Sequence, residues 1–217
     1  VENLTIQWCI SSEALNAGNH AFGGTWGGRD STFHHNLFAC NTARNPSIGM
    51  SGEFDFRNNV IFNWSHRSMD GGDETSLINV INNYYKPGPA SEETDIINAQ
   101  NDGFEGGQWY YFVGNIMEGI CDESNQEDCR RESGEERDYN CWVNEPFFES
   151  YVETQTAGEA YEDVLANVGA NRPMLDDHDA RCFVSVQLTQ CRCSRCRQTT
   201  DTTLHEYVTE RFACLLV

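Results

Sequence analysis

The sequence predicts an all-β fold, a right-handed parallel β-helix with a C-terminal helix and an irregular tail, and three observations predict it. Five short segments rich in β-branched and aromatic residues superpose on one pattern. The steps between them are too long for hairpins and too long for a sandwich, whose strands recur at about 8–12 residues. The stretches between them carry Gly, Asn, Asp and Ser, which is turn chemistry, and no helical periodicity of the kind a βαβ unit needs.

The segments are "TIQWCIS" from Thr5, "TFHHNLF" from Thr32, "FRNNVIF" from Phe56, "NVINNYY" from Asn79 and "YFVGNIM" from Tyr111. In each, an apolar residue (Ile6, Phe33, Phe56, Val80, Phe112) precedes by three a small or amide residue (Cys9, Asn36, Asn59, Asn83, Asn115), and a second apolar pair follows. The amide positions lie 27, 23, 24 and 32 residues apart. A coil of that length, holding several short strands, is the repeat of a solenoid whose coils stack one on the next. Equivalent residues then line up, and four Asn in register should form a ladder of side-chain amides.

Residues 1–118 are therefore expected to be β-helix coils, beginning with an already incomplete set. "VENLTIQWCI" opens inside a strand pattern, so further coils and any targeting segment are expected upstream of Val1. Residues 119–187 are expected to be a polar loop followed by a helix of the same domain. In "AGEAYEDVLANVGA", Ala160, Tyr161, Val164, Leu165 and Val168 fall at helical spacing and Gly169 is a stop, giving a helix that caps the end of the stack. Residues 188–217 are a Cys-rich tail. Its Cys191, Cys193 and Cys196, with Cys182 or Cys214, suggest zinc only weakly, because no second matching pair follows, and a disulfide-linked or disordered tail is the simpler reading.

Thirty-four acidic residues against 14 basic ones give a net charge of -20, which excludes a general nucleic-acid binder. No run is long and apolar enough for a membrane span. Ten cysteines point weakly to an oxidising compartment, with disulfides expected among Cys121, Cys129 and Cys141, and with Cys9 and Cys40 expected as buried thiols.

Arg44 stands out in "FACNTARNPSIG", a cation on a loop just past a strand in an acidic chain. Arg67 follows one coil later, so the two should stack as a rail for a polyanion, or serve as ordinary surface charges. His20 and Trp26 flank "HAFGGTWGG", where glycine lets backbone approach a ligand, although Trp26 could equally plug the core. His34 and His35, as strand neighbours, should point to opposite faces and be structural. Asp70 and Asp73 are the close pair a glycosidase would need, and turn chemistry explains them better.

With that scaffold in view, the strings "NLTIQWCISSEALN", "HAFGGTWGG", "STFHHNLFACNTARNP", "DFRNNVIFNW", "NNYYKPGPA", "YFVGNIMEG", "AYEDVLANVGA" and "DDHDARCFVSV" resemble, in order across residues 1–187, the parallel β-helix pectate lyases, in particular a bacterial-type subfamily. The resemblance implies a secreted, extracellular enzyme, expected to be monomeric, that cleaves de-esterified pectin (polygalacturonate) by β-elimination with Ca2+. Arg44-Asn45-Pro46 matches the family's R-x-P motif, which implies Arg44 as catalytic base; His20, Trp26, Asn45 and Arg67 are the expected substrate-binding residues beside it, although the family more often has an uncharged residue at the position of Arg67. The family's second cation after the proline is replaced by Ser47 and Gly49. Its calcium ligands are expected upstream of Val1, since Glu13 alone cannot supply the roughly six to eight oxygens calcium takes. A β-helix that kept the groove and binds carbohydrate without cleaving it is the competing class.

Overall fold

A computed structural model of the chain describes residues 1–190 apart from 17, 50–51, 72–75 and 102–105. Asp73 and the tail cysteines from Cys191 onward lie outside the described residues. Each coil contributes three short strands, because turn residues break the chain every few positions. The first coil holds β1 (Thr5–Gln7), β2 (Ile10–Ser12) and β3 (Thr25–Trp26). The second holds β4 (Ser31–His34), β5 (Leu37–Ala39) and β6 (Ser47–Ile48), and the third β7 (Gly52–Arg57), β8 (Val60–Phe62) and β9 (Asp70–Gly71). The fourth holds β10 (Ser76–Ile81), β11 (Tyr84–Lys86) and β12 (Ile97–Asn101), and the fifth β13 (Gln108–Val113), β14 (Ile116–Met117) and β15 (Arg130–Gly134). A further strand, β16 (Trp142–Val143), begins the next turn.

Stacking these coils makes three faces of parallel strands, the arrangement of a parallel β-helix. The first face runs β1-β4-β7-β10-β13-β16 and the second β2-β5-β8-β11-β14. The third runs β3-β6-β9 and continues through the parallel bridge of Met69 with Ile97 to β12-β15. Register on the first face aligns Ile6, Phe33, Phe56, Val80 and Phe112, the apolar positions that the sequence superposition puts in line. Residues 119–145, expected as a loop insertion, instead carry β15 and β16 and continue the stack. Within them Cys121 and Cys129 form a disulfide, while Cys141 is a buried free thiol. Cys9, expected as a free thiol, is disulfide-bonded.

The amide ladder forms between the first two faces. Asn36 donates its backbone N–H and its Nδ2 to Asn59 Oδ1, both at 2.9 Å. Asn59 does the same to Asn83 Oδ1, and Asn83 to Asn115 Oδ1, at 3.0 Å each. Cys9 N starts the column on Asn36 Oδ1, and Gln126 Oε1 ends it by accepting from Asn115 N. The residue before each ladder position (Trp8, His35, Asn58, Asn82, Gly114) has a left-handed backbone with φ between 50° and 66°. That turn swings the chain from the first face to the second while leaving the amide pointing inward.

The second face is apolar on both sides, as strands buried on both faces must be. Phe38, Ile61, Tyr85 and Met117 point into the coil interior, whereas Ile10, Leu37, Val60 and Phe62 point out against Val164, Val168, Phe183 and Val186 of two helical segments. The first is α1 (Ala157–Asn167), opened by a capping box in which Thr156 and Glu159 satisfy each other's backbone N–H. The second is α2 (Asp177–Leu188), capped by Asp176 and not anticipated from the sequence. The helix expected to cap the end of the stack thus lies along its flank, because the apolar surface to be covered is the outer side of that face. Glu13 is engaged here too, in an ion pair with Arg181 of α2 at 2.6 Å.

Candidate active site

The third face carries the polar chemistry. Its register places Thr25, Ser47 and Asp70 in one row, and the Met69–Ile97 bridge and the β12–β15 pairing extend that row to Asn98 and Arg131. Alternate residues Ile48, Ile97 and Ala99 are buried in the core, so this row faces out, as the two-residue period of a strand requires.

Arg44 stands at the turn leading into β6, with φ 56° and its carbonyl accepting from Gly24 N at 3.0 Å. Its guanidinium lies 4.6 Å from the centre of the Phe22 ring, against which His20 also packs, and its Nη1 reaches Thr25 Oγ1 at 3.4 Å. Its Nε is buried without a partner. Among the described basic residues, only Arg44 and the exposed Arg172 have no ion pair, although the chain carries a net charge of -20.

Arg67 lies one coil on, as the 23-residue spacing requires, since Asn45 N donates to Ser68 O and Asn45 Nδ2 to Arg67 O. Arg67 Nη1 pairs with Asp70 Oδ2 at 2.9 Å, leaving Arg67 Nε and Asp70 Oδ1 buried and unpartnered. Asn98 Oδ1 is likewise unpartnered. Beside these atoms is a cavity of about 240 Å³ whose walls include Arg67, Asp70, Glu93, Asp95, Asn98 and Arg131. Arg131 Nη2 approaches Asp95 and Glu93 at 3.5 and 3.6 Å. Burial raises the Asp95 carboxyl above its usual range, with Arg131 opposing. A buried polar atom without a partner costs about 1–3 kcal/mol, so four orphans along one face mark a surface shaped for a polar ligand.

The other expected site residues divide. His20 is exposed and joins Arg44 through Phe22. Trp26 takes the core alternative, its ring 5.4 and 4.7 Å from those of Phe33 and Phe38. Asn45 does not face the groove. Its side chain is 1% exposed, its Oδ1 accepts from Asn41 Nδ2 at 3.1 Å, and it serves coil stacking. The glycines of "HAFGGTWGG" also serve stacking, since a Cβ on Gly23 would lie 2.6 Å from Arg44 O. Phe22, Thr25, Asn98 and Arg131 were missed. Strand alternation within β3, β12 and β15 was the available signal, and those strands are too short or too polar to announce themselves.

His34 and His35 correct the sequence expectation. His35 sits in the left-handed turn with φ 54° rather than on the strand, so the two rings converge, Nδ1 to Nδ1 at 2.7 Å.

The described residues do not by themselves form a calcium site. No group of three His, Cys, Asp or Glu side chains among the described residues converges to hold a metal ion. Asp70, Glu93 and Asp95 are engaged by arginines, and Glu13 by Arg181.

No protein-family model matches the chain. Among curated proteins it is 38% identical over 100 residues to a probable pectate lyase C of Aspergillus flavus, covering 43% of this chain and 22% of that protein. It is 38% identical over 97 residues to the counterpart in Aspergillus terreus, covering 42% and 22%. Against that of Neosartorya fischeri it is 32% identical over 116 residues, covering 50% and 26%. The matched stretch thus spans roughly a quarter or less of the length of these curated relatives.

Proposed function

We propose, from the similarity of part of this chain to curated pectate lyases, that the protein is a secreted polysaccharide lyase that cleaves de-esterified pectin by β-elimination along the third face. The observation that carries the reading is Arg44, a half-buried cation without an acidic partner in a strongly acidic chain, with Arg67 one coil on. Fixed positive charge on a groove is what a polyuronate chain selects.

Abstraction of the proton next to a uronate carboxylate puts a second negative charge on the same unit, so cations held where that charge develops lower the barrier. Arg44 supplies one such group. Phe22 and Thr25 fix its guanidinium, the ring lying beneath it. A guanidinium does not give up its proton in a protein, so Arg44's own chemistry is charge stabilisation and orientation of the carboxylate. The base role remains an implication of the resemblance. Farther along the groove Arg67 is held by Asp70 and Arg131 by Glu93 and Asp95, so Arg44 is the cation there without an acidic partner, and His20 edges it. The described residues do not fit calcium, and no step is assigned to it.

The lack of a convergent acid set among the described residues favours one second reading, a carbohydrate-binding β-helix without catalysis. A single assay separates the two. The protein with polygalacturonate, with and without added calcium, is followed in the ultraviolet for the unsaturated product. A rise in absorbance supports the lyase. Retention on polygalacturonate without any rise supports the binder, and the absence of both retention and rise overturns the groove as a uronate site.

A further inference from the structure

A second cavity, of about 650 Å³, lies on the first face, away from the groove at Arg44. Its walls include Gln7, Trp8, His34, His35, Tyr151 and Glu153. The segment before α1 closes one side of it, anchored where Asn58 and Asn82 each donate Nδ2 to Gln155 O, at 2.8 and 2.7 Å.

Hydrogen bonding fixes the proton positions in this cavity. Gln155 Nε2 donates to Asp163 Oδ2 at 3.1 Å, and a carboxylate only accepts, so the Gln155 amide is oriented with Oε1 towards His35. Oε1 must then receive a proton from His35 Nε2, 2.8 Å away, which leaves Nδ1 of a neutral His35 as a bare acceptor. The only donor it meets among the described residues is His34 Nδ1, at 2.7 Å. His34 is therefore protonated on Nδ1 and carries its lone pair on Nε2, which has no protein partner among the described residues. Burial, followed by the neighbouring His35 and Arg57, lowers the His34 pKa to about 4, so the ring stays neutral near pH 7.

The remaining lining sorts the ligand by charge. Arg57, the nearest cation, spends Nε and Nη2 on Asp55 at 2.7 and 2.6 Å and Nη1 on Thr154 at 2.8 Å. The acids Glu153 and Asp163 are left without a free counter-cation, which disfavours a uronate. An alkylammonium needs a cage of several rings, and here the Trp8 ring is spent on His35 at 4.6 Å, which leaves Tyr151, 83% exposed, as the one free aromatic among the described lining residues. Sugar hydroxyls both donate and accept. They match an imidazole acceptor, the Gln7 amide and the Glu153 carboxylate, with a Tyr ring to cover an apolar sugar face.

We propose that this cavity is a binding site for a neutral saccharide, in which a sugar hydroxyl donates to His34 Nε2 and Tyr151 packs against the ring. It is independent of the uronate groove. The test is an NMR titration of the whole chain with cellobiose, lactose and mannobiose, run beside digalacturonate and butylammonium. The expected result is a saturable shift of the Trp8 indole and Tyr151 ring signals with at least one neutral disaccharide, weakened roughly fivefold or more by Tyr151→Ala. That side chain is exposed, so its loss leaves the fold intact. Imidazole 15N shifts should show His34 protonated on Nδ1 and His35 on Nε2. No response to any of the three disaccharides, preferential binding of digalacturonate or butylammonium here, or a proton on His34 Nε2 would each overturn the proposal. Product formation from polygalacturonate by the Tyr151→Ala protein reports on the groove separately.

Discussion

At the scale of single residues, Arg44 and Gly114 make opposite kinds of demand. Arg44 holds an unusual backbone angle, yet left-handed residues recur at the turns of every coil, so its φ alone does not mark function. Its missing acidic partner does. If Arg44 acts where the proton is removed, Arg44→Lys should lower turnover on polygalacturonate about a hundredfold, the cost of roughly 1 Å of misplacement. Oligogalacturonate binding should stay within a few fold, and steady-state kinetics beside direct binding measures both. Near-normal turnover would leave Arg44 as one cation among several. Gly114, by contrast, is needed for what it lacks. Its φ is 66°, and an added Cβ would run into Asn82 Oδ1. Gly114→Ala should therefore destabilise the fold by at least the roughly 1–2 kcal/mol of a left-handed non-glycine residue, read as a lowered denaturation midpoint with unchanged slope.

The elements are tied to one another by the amide column more than by any long strand, since the strands run two to six residues. Asn59 sits at its centre. Besides its links to Asn36 and Asn83, its Nδ2 donates to Phe33 O and Arg57 O, at 2.9 and 3.0 Å. Asn59→Leu keeps the branched shape of the side chain and strands Asn36 N and Phe33 O in a dry interior, at about 1–3 kcal/mol for each unsatisfied group. The melting temperature should fall by roughly 5 °C or more, and an unchanged value would refute the ladder as a structural tie. The columns also account for the flanking helices. α1 enters through Gln155, which is hydrogen-bonded to His35, Asn58 and Asn82 on three successive coils, so the chain reaches the second face already in register.

For the whole molecule, the buried histidines set a pH dependence. His34 is held to about 4 in the fold against 6.5 for an ordinary histidine. His35 is lowered as well, chiefly by burial, with its bond to Gln155 and the charge of Asp163 opposing. The unfolded chain takes up these protons first as pH falls, so stability is full above about pH 6.5 and declines towards pH 4. The slope should approach about 1.4 kcal/mol per pH unit for each histidine that stays neutral in the fold. Groups facing the pair are Arg57 from the first face, Asp163 from α1 and Glu153 from the segment before it. Denaturation midpoints across that window check the slope, and His34→Gln should flatten it.

The sequence by itself determined the repeat and its register. A coil is a local unit, and stacking forces equivalent residues into columns, so Ile6, Phe33, Phe56 and the Asn positions were legible as one pattern. Arg44 and Arg67 were legible for the same reason, as cations one coil apart. The tertiary structure decided whatever depends on which side of a strand or turn a side chain leaves. Asn45 and Trp26 turn inward, β15 and β16 prolong the stack through a polar stretch, and α1 lies on the flank rather than at an end. A single left-handed residue was enough to bring His35 onto His34. Backbone dihedrals at turns are set by the stacked neighbour, which lies some two dozen residues away, and no local pattern within one coil encodes them.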